Sequence, residues 1–168
     1  YVTASDLSGN ISIEHIGPFK IDTIKPTVTI APISAIGQTI TTSISALDDF
    51  SGINNIYYAW SDNNVTEPSN YTVYVDSLTL TADGTYYLWA KAIDKAGNEK
   101  VSVSEAFIVD NVLPTITFAY PSSTVVKNIT LGVNASANGI KTISKLEYTW
   151  TTNNVQPSSY TDWDLVDY

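Results

Sequence analysis

The motif Asp94-Lys95-Ala96-Gly97-Asn98 repeats Asp6-Leu7-Ser8-Gly9-Asn10 at an offset of 88 residues, from position 6 to position 94. Phe107-Ile108-Val109-Asp110 answers Phe19-Lys20-Ile21-Asp22 at the same offset. Pro114-Thr115-Ile116-Thr117 likewise answers Pro26-Thr27-Val28-Thr29. Tyr148-Thr149-Trp150 answers Tyr58-Ala59-Trp60 at 90 residues, which needs only a two-residue insertion between them. Self-similarity on the scale of a domain marks a tandem array. The offset predicts a complete unit over residues 23–110. Residues 1–22 are then the closing part of an upstream unit, and residues 111–168 the opening part of a downstream one. Arrays of this kind act through length, spacing and surface contact rather than through a catalytic cleft.

Within the complete unit, apolar residues recur every second position, the period of a half-buried strand. Val28 and Ile30 alternate with Thr27 and Thr29, and Ile40, Thr42, Ile44 and Ala46 share one face. The downstream unit repeats that face as Ile129, Leu131, Val133 and Ala135. Ile56, Tyr58 and Trp60 point inward from a third strand. Residues 61–70, polar and carrying Pro68, read as loop. Short strands follow near 71–75 and 78–82. In the strand over 85–92, placing Lys91 in solvent turns Tyr86, Leu88, Ala90 and Ala92 inward. The Asp94–Asn98 turn then leads into a last strand over roughly 102–109. About seven short strands separated by turn signals predict an all-β, two-sheet Greek-key sandwich. The chain has no Cys, so no disulfide can join its sheets and the apolar core must hold them.

Three stretches, Asp48-Asp49-Phe50-Ser51-Gly52-Ile53, Tyr58-Ala59-Trp60-Ser61 and Gly84-Thr85-Tyr86-Tyr87-Leu88-Trp89-Ala90-Lys91-Ala92-Ile93-Asp94-Lys95-Ala96-Gly97-Asn98, carry a resemblance. Together they resemble the tandem bacterial immunoglobulin-like repeats of large extracellular surface proteins, and the likeness runs in register along the whole chain. It implies an immunoglobulin-like sandwich and an extracellular array at the cell surface, in an adhesin, an S-layer-associated protein or an appendage. The downstream unit departs from the pattern, with Ala137-Asn138-Gly139-Ile140 where the acidic loop should stand.

One pole of such a sandwich gathers the loop after the second strand, the last tight turn and the entering linker. That brings Asp48 and Asp49, then Asp94, Asn98 and Glu99, then Asp22 towards one place. Carboxylates so gathered repel one another unless the loops splay or a cation arrives, and Ca²⁺ takes six to eight oxygens from flexible loops. The competing expectation is that these acids bond their own backbones, with Gly9-Asn10 and Gly97-Asn98 completing tight turns in which glycine supplies positive φ. In that case no cofactor is needed.

Two aromatic sets follow from the alternation. Tyr58, Trp60 and Tyr86, with Tyr148 and Trp150 downstream, are expected in the core. Tyr57, Tyr87 and Trp89 fall on the outer face, where they would either contact a glycan or a cell-surface protein or simply pair across strands. A net charge of −9, with eight Lys and no Arg, argues against nucleic acid as partner. No apolar run approaches the roughly 20 residues needed to cross a bilayer. His15 is the single His, and with no Cys no nucleophile–base pair suggests an enzyme. The expected role is a non-catalytic stalk, spacer or fibre segment, whose partners are neighbouring repeats or copies in a filament. The alternative is a carbohydrate-binding accessory region of a secreted glycan-active enzyme. For the two partial units, either the array continues, or one molecule's hairpin completes the opening part of its neighbour.

Overall fold

The computed structural model describes residues 1–119 and 131–163; Ile129, assigned above to an inward strand face, lies outside them. Among the described residues every regular element is a strand. In chain order these are β1 (Val2–Ser5), β2 (Ile11–Glu14), β3 (Thr27–Ala31), β4 (Ala35–Gly37) and β5 (Ile40–Leu47). Next come β6 (Ile53–Ser61), β7 (Thr72–Val73), β8 (Leu78–Leu80), β9 (Gly84–Asp94), β10 (Glu99–Val103) and β11 (Phe107–Val109). The downstream part adds β12 (Thr115–Ala119), β13 (Gly132–Ser136), β14 (Leu146–Tyr148) and β15 (Thr161–Trp163).

Strands β3 to β11 close one sandwich. The smaller sheet runs β3-β5-β8. The larger runs β4-β11-β9-β6-β7, with β10 also paired to β9. The chain changes sheets between β3 and β4, between β4 and β5, between β5 and β6, and again on either side of β8, so consecutive strands wrap a common core. Ile30, Ile40 and Ile44 from the smaller sheet meet Leu88, Ala90, Phe107 and Val109 from the larger. Tyr58, Trp60 and Tyr86 pack against this cluster as their alternation predicts. The Trp60 ring stands edge-on to Phe107, with centroids 5.6 Å apart, and to Tyr86 at 6.3 Å. Edge-to-face packing of this kind adds to the stabilisation from burial.

Two features differ from the pattern read in the sequence. The last strand is broken. Ser104 is buried between β10 and β11, where its N–H donates to the Leu88 carbonyl and its Oγ accepts the Leu88 N–H at 2.8 Å. A serine offers both groups to a β9 residue whose ladder is interrupted there, so the chain can sidestep without orphaning buried polar atoms. Strand β4 also has no counterpart in the sequence pattern, because three residues are too few for periodicity. It pairs in parallel with β11, Ile36 opposite Ile108.

Among the described residues the flanking parts form two-stranded sheets only: β1 with β2, β12 with β13, and β14 with β15. Phe19 shows the consequence. Its repeat equivalent Phe107 is fully buried, whereas Phe19 is 73% exposed. Phe107→Ala is therefore expected to cost about 3–5 kcal/mol in urea denaturation followed by tryptophan fluorescence. Phe19→Ala, the same change at the equivalent position, should leave the midpoint nearly unmoved.

Candidate functional site

Three carboxylates meet at the pole of the complete sandwich where the chain enters it. Asp22 lies on the linker before β3, Asp48 follows β5, and Asp94 ends β9. Taking one carboxylate oxygen from each, the three lie within 4.8 Å of one another.

Each acid is placed by backbone chemistry of its own. Asp48 Oδ1 accepts N–H bonds from Phe50, Ser51 and Gly52, the last two at 2.8 Å, and also the Ser51 hydroxyl. Gly52 takes φ +79°, a conformation a side chain would oppose, and its carbonyl accepts the Lys95 N–H. That bond ties the 48–52 loop to the turn after β9. In the turn, Asp94 Oδ1 accepts the N–H groups of Ala96 and Asn98, while Oδ2 accepts the Asn98 side-chain amide at 2.7 Å. The same amide donates to the Asp22 carbonyl at 3.2 Å, pinning the linker to the turn.

The upstream copy of the turn serves as an internal control. Asp6 bonds Ser8 N, Asn10 N and the Asn10 amide with nearly the same distances, and Gly9 has φ +88°. It does so as an exposed hairpin tip outside the acidic cluster. Both copies of the turn close on their own hydrogen bonds.

Asp22 is different. Its Oδ1 accepts the Ile24 N–H at 2.9 Å, but Oδ2 is buried and has no hydrogen-bond partner. A buried carboxylate oxygen with no donor, on a residue that neighbours two further acids, is costly unless a positive charge accompanies it. The donor set fits a hard cation held by oxygen: three carboxylates and no imidazole or thiolate. Asn98 joins the site as the amide bridging Asp94 and Asp22. Asp49 and Glu99, expected in the same cluster, are exposed and lie outside it; Glu99 stands 4.0 Å from Lys91 across β9 and β10.

The aromatic expectations divide. Tyr57 and Tyr87 lie half-buried on the outer face of the larger sheet. Trp89, expected there as an exposed contact, is instead covered, at 7% exposure. The 61–70 loop explains this correction. Asn63 Oδ1 accepts the N–H groups of Val65 and Thr66, which fixes the loop's fold, and the Asn63 carbonyl accepts Trp89 Nε1 at 3.1 Å. Opposite Trp89 stands Ala59, small enough to leave the indole room. Lys91 lies 4.7 Å over the Tyr71 ring beside it. Downstream, Trp150 is 68% exposed and Tyr148 39%, not buried as their equivalence to Trp60 and Tyr58 suggested. Among the described residues no counterpart of β9 to β11 covers them.

His15 stacks on Tyr1 in the upstream hairpin, with ring centroids 5.3 Å apart. No helix among the described residues is long and apolar enough to cross a membrane. No family model matches the chain, and no curated protein matches it.

The hydrogen bonds also set the acid response. The Gly52 N–H holds the Asp48 carboxyl below the usual carboxylate range. At Asp94 burial pushes upward, but the Asn98 amide and the turn N–H groups outweigh it, and the net direction is down. A carboxyl whose folded pKa is depressed stabilises fully above its unfolded value, near 3.9. That stabilisation is lost as pH falls through the lower folded value. Thermal denaturation between about pH 2 and 6 should show a midpoint that drops below about pH 4. In Asp94→Asn, where two amide groups would face each other, the drop should be shallower and start from a lower midpoint.

Proposed function

We propose that this chain is a spacer: a stalk or fibre segment of a bacterial cell-surface protein, built from tandem immunoglobulin-like repeats and non-catalytic. The observation that carries the reading is the anchoring of both linkers. Asp22 is tied into the complete unit by the Asn98 amide on its carbonyl. At the other end, Asp110 donates its N–H to Gly37 and Asn111 bonds Asp83 and the Thr81 carbonyl, all within the complete unit. The Asp110 carboxylate meanwhile accepts N–H groups of Ile140 and Lys141 in the downstream unit. The second linker is thus bonded to both units it joins, and such a linker transmits orientation, which a spacer needs and a loose tether lacks.

Its partners in this reading are neighbouring repeats, or copies of itself in a filament, outside the cell. Glycan binding through Trp89 is not part of it, because the ring is covered. Calcium is its cofactor. Asp22, Asp48 and Asp94 would hold the ion, whose charge would relieve the orphaned Asp22 oxygen and bind the entering linker to two loops of the unit.

Both parts can be tested. The chain has no native cysteine, so spin labels at Thr79→Cys and Ser136→Cys report the spacing across the second linker by pulsed dipolar spectroscopy. A single narrow distance distribution is expected, and a broad one overturns the spacer. For the ion, calcium at a hundred times its Kd stabilises the native state by about 2.7 kcal/mol. For a unit of this size that raises the melting midpoint by roughly 10–20 °C, an effect Asp48→Asn should abolish. A midpoint indifferent to millimolar calcium and to chelator removes the ion from the proposal.

A further inference from the structure

Asp22 and Asp110 occupy the same place in successive repeats, 88 residues apart, and the structure completes their carboxylates in opposite ways. One oxygen does the same work in both. Asp22 Oδ1 accepts the N–H of Ile24 at 2.9 Å, and Asp110 Oδ1 that of Val112 at 3.1 Å, each two residues on. The second oxygens diverge. Asp22 Oδ2 is buried without a hydrogen-bond partner, on a residue that clusters with two other acids. Asp110 Oδ2 accepts two backbone N–H groups, from Ile140 at 2.8 Å and Lys141 at 3.0 Å.

The sequence difference beneath this is local. The complete unit has Asp48-Asp49-Phe50-Ser51-Gly52-Ile53 in the loop facing its linker acid, and the downstream unit has Ala137-Asn138-Gly139-Ile140. With no acid in that loop, nothing there repels Asp110. Gly139 allows the close approach: a Cβ at this position would run into the Asp110 carboxylate. Asn138 ties the loop down, donating its amide to the Leu113 carbonyl and to Thr115 Oγ1. Ion–dipole bonds to backbone N–H groups thus occupy the place of a metal. The Lys141 N–H foremost holds the Asp110 carboxyl below the ordinary range, in keeping with a charge satisfied by protein.

We infer that the joint at Asp110 is a cation-independent clamp, closed by the N–H groups of Ile140 and Lys141 with Gly139 as the residue that permits it, so that successive joints of one array differ in their need for a divalent ion. The contrast with Asp22 rests on the calcium reading above, whereas the clamp at Asp110 stands on its own bonds. An array with both kinds of joint would loosen at selected positions when calcium falls, instead of along its whole length.

Amide hydrogen exchange followed by NMR on the full chain tests this. The Ile140 and Lys141 amides should be protected to the same degree in millimolar calcium and in chelator. In Gly139→Ala their exchange should rise roughly tenfold or more, while the β12–β13 ladder amides, such as those of Ile116 and Ala135, stay protected and show the fold intact. Asp110→Asn, which removes the charge without adding bulk, should raise exchange at the same two amides. Protection lost in chelator overturns the clamp, as does protection that survives both substitutions. The amides of Ile24, Gly52 and Asn98 read the other joint in the same spectra. If calcium leaves them unchanged, the ion at Asp22 is excluded, while the clamp at Asp110 still stands or falls on its own two amides.

Discussion

Everything in this chain depends on two half-apolar sheets closing on each other. With no disulfide available, the sandwich from β3 to β11 is held by one cluster in which Leu88, Ala90, Phe107 and Val109 meet Ile30, Ile40 and Ile44. Four of these seven residues come from the stretch between Gly84 and Val109. Residues at equivalent positions elsewhere, such as Phe19 and Trp150, lie outside the strands and are exposed, and among the described residues no opposing sheet covers them. The same kind of side chain at equivalent positions is therefore core or surface according to whether a partner sheet closes over it. Burial is a property of the closed unit, and the strand alone does not confer it.

Closure of the sheets also assembles the acidic pole. Asp48 and Asp94 each end a long strand and turn the chain with bonds from their own carboxylates. Such turns are self-sufficient, as the exposed Asp6 copy shows. What the fold adds is convergence: three separately stable acids, together with the linker, arrive at one point. The electrostatic problem arises at the tertiary level from elements that have none individually. Where the facing loop is acidic, the linker carboxylate is left with an orphaned oxygen; where it is Ala-Asn-Gly, backbone N–H groups satisfy it.

Period-2 alternation makes most of the sandwich legible in the sequence. Ile40, Thr42, Ile44 and Ala46 do share a face, and Tyr58, Trp60 and Tyr86 do pack against the core, because one buried sheet face imposes that period directly. Trp89 departs from the expected exposure for a related reason. Alternation assigns a sheet face, but it does not reveal that the 61–70 loop folds over that face. Asn63, which fixes the loop, looks like any polar loop residue. Strand β4 and the Ser104 sidestep are hidden because each depends on pairing with β11 or β9, not on a local pattern. At the acidic pole the repeat gathers more residues than meet there: Asp49 and Glu99 neighbour Asp48 and Asn98 in sequence yet are exposed outside the three-acid group. The orphaned oxygen of Asp22 has no signature in the chain at all, being defined by what fails to reach it.

The lengths of the outermost strands carry a consequence for assembly. The larger sheet is bordered by β4, of three residues, β7, of two, and β10, of five, and the smaller sheet ends on one side in the three-residue β8. Its other border, β3, is bracketed by Pro26 and Pro32, which lack the N–H needed to extend a ladder. In the tandem array proposed above, sibling domains on one chain would meet at effective concentrations in the millimolar range. A long free border would invite each domain to recruit its sibling's backbone during refolding. Short borders and flanking prolines narrow that route.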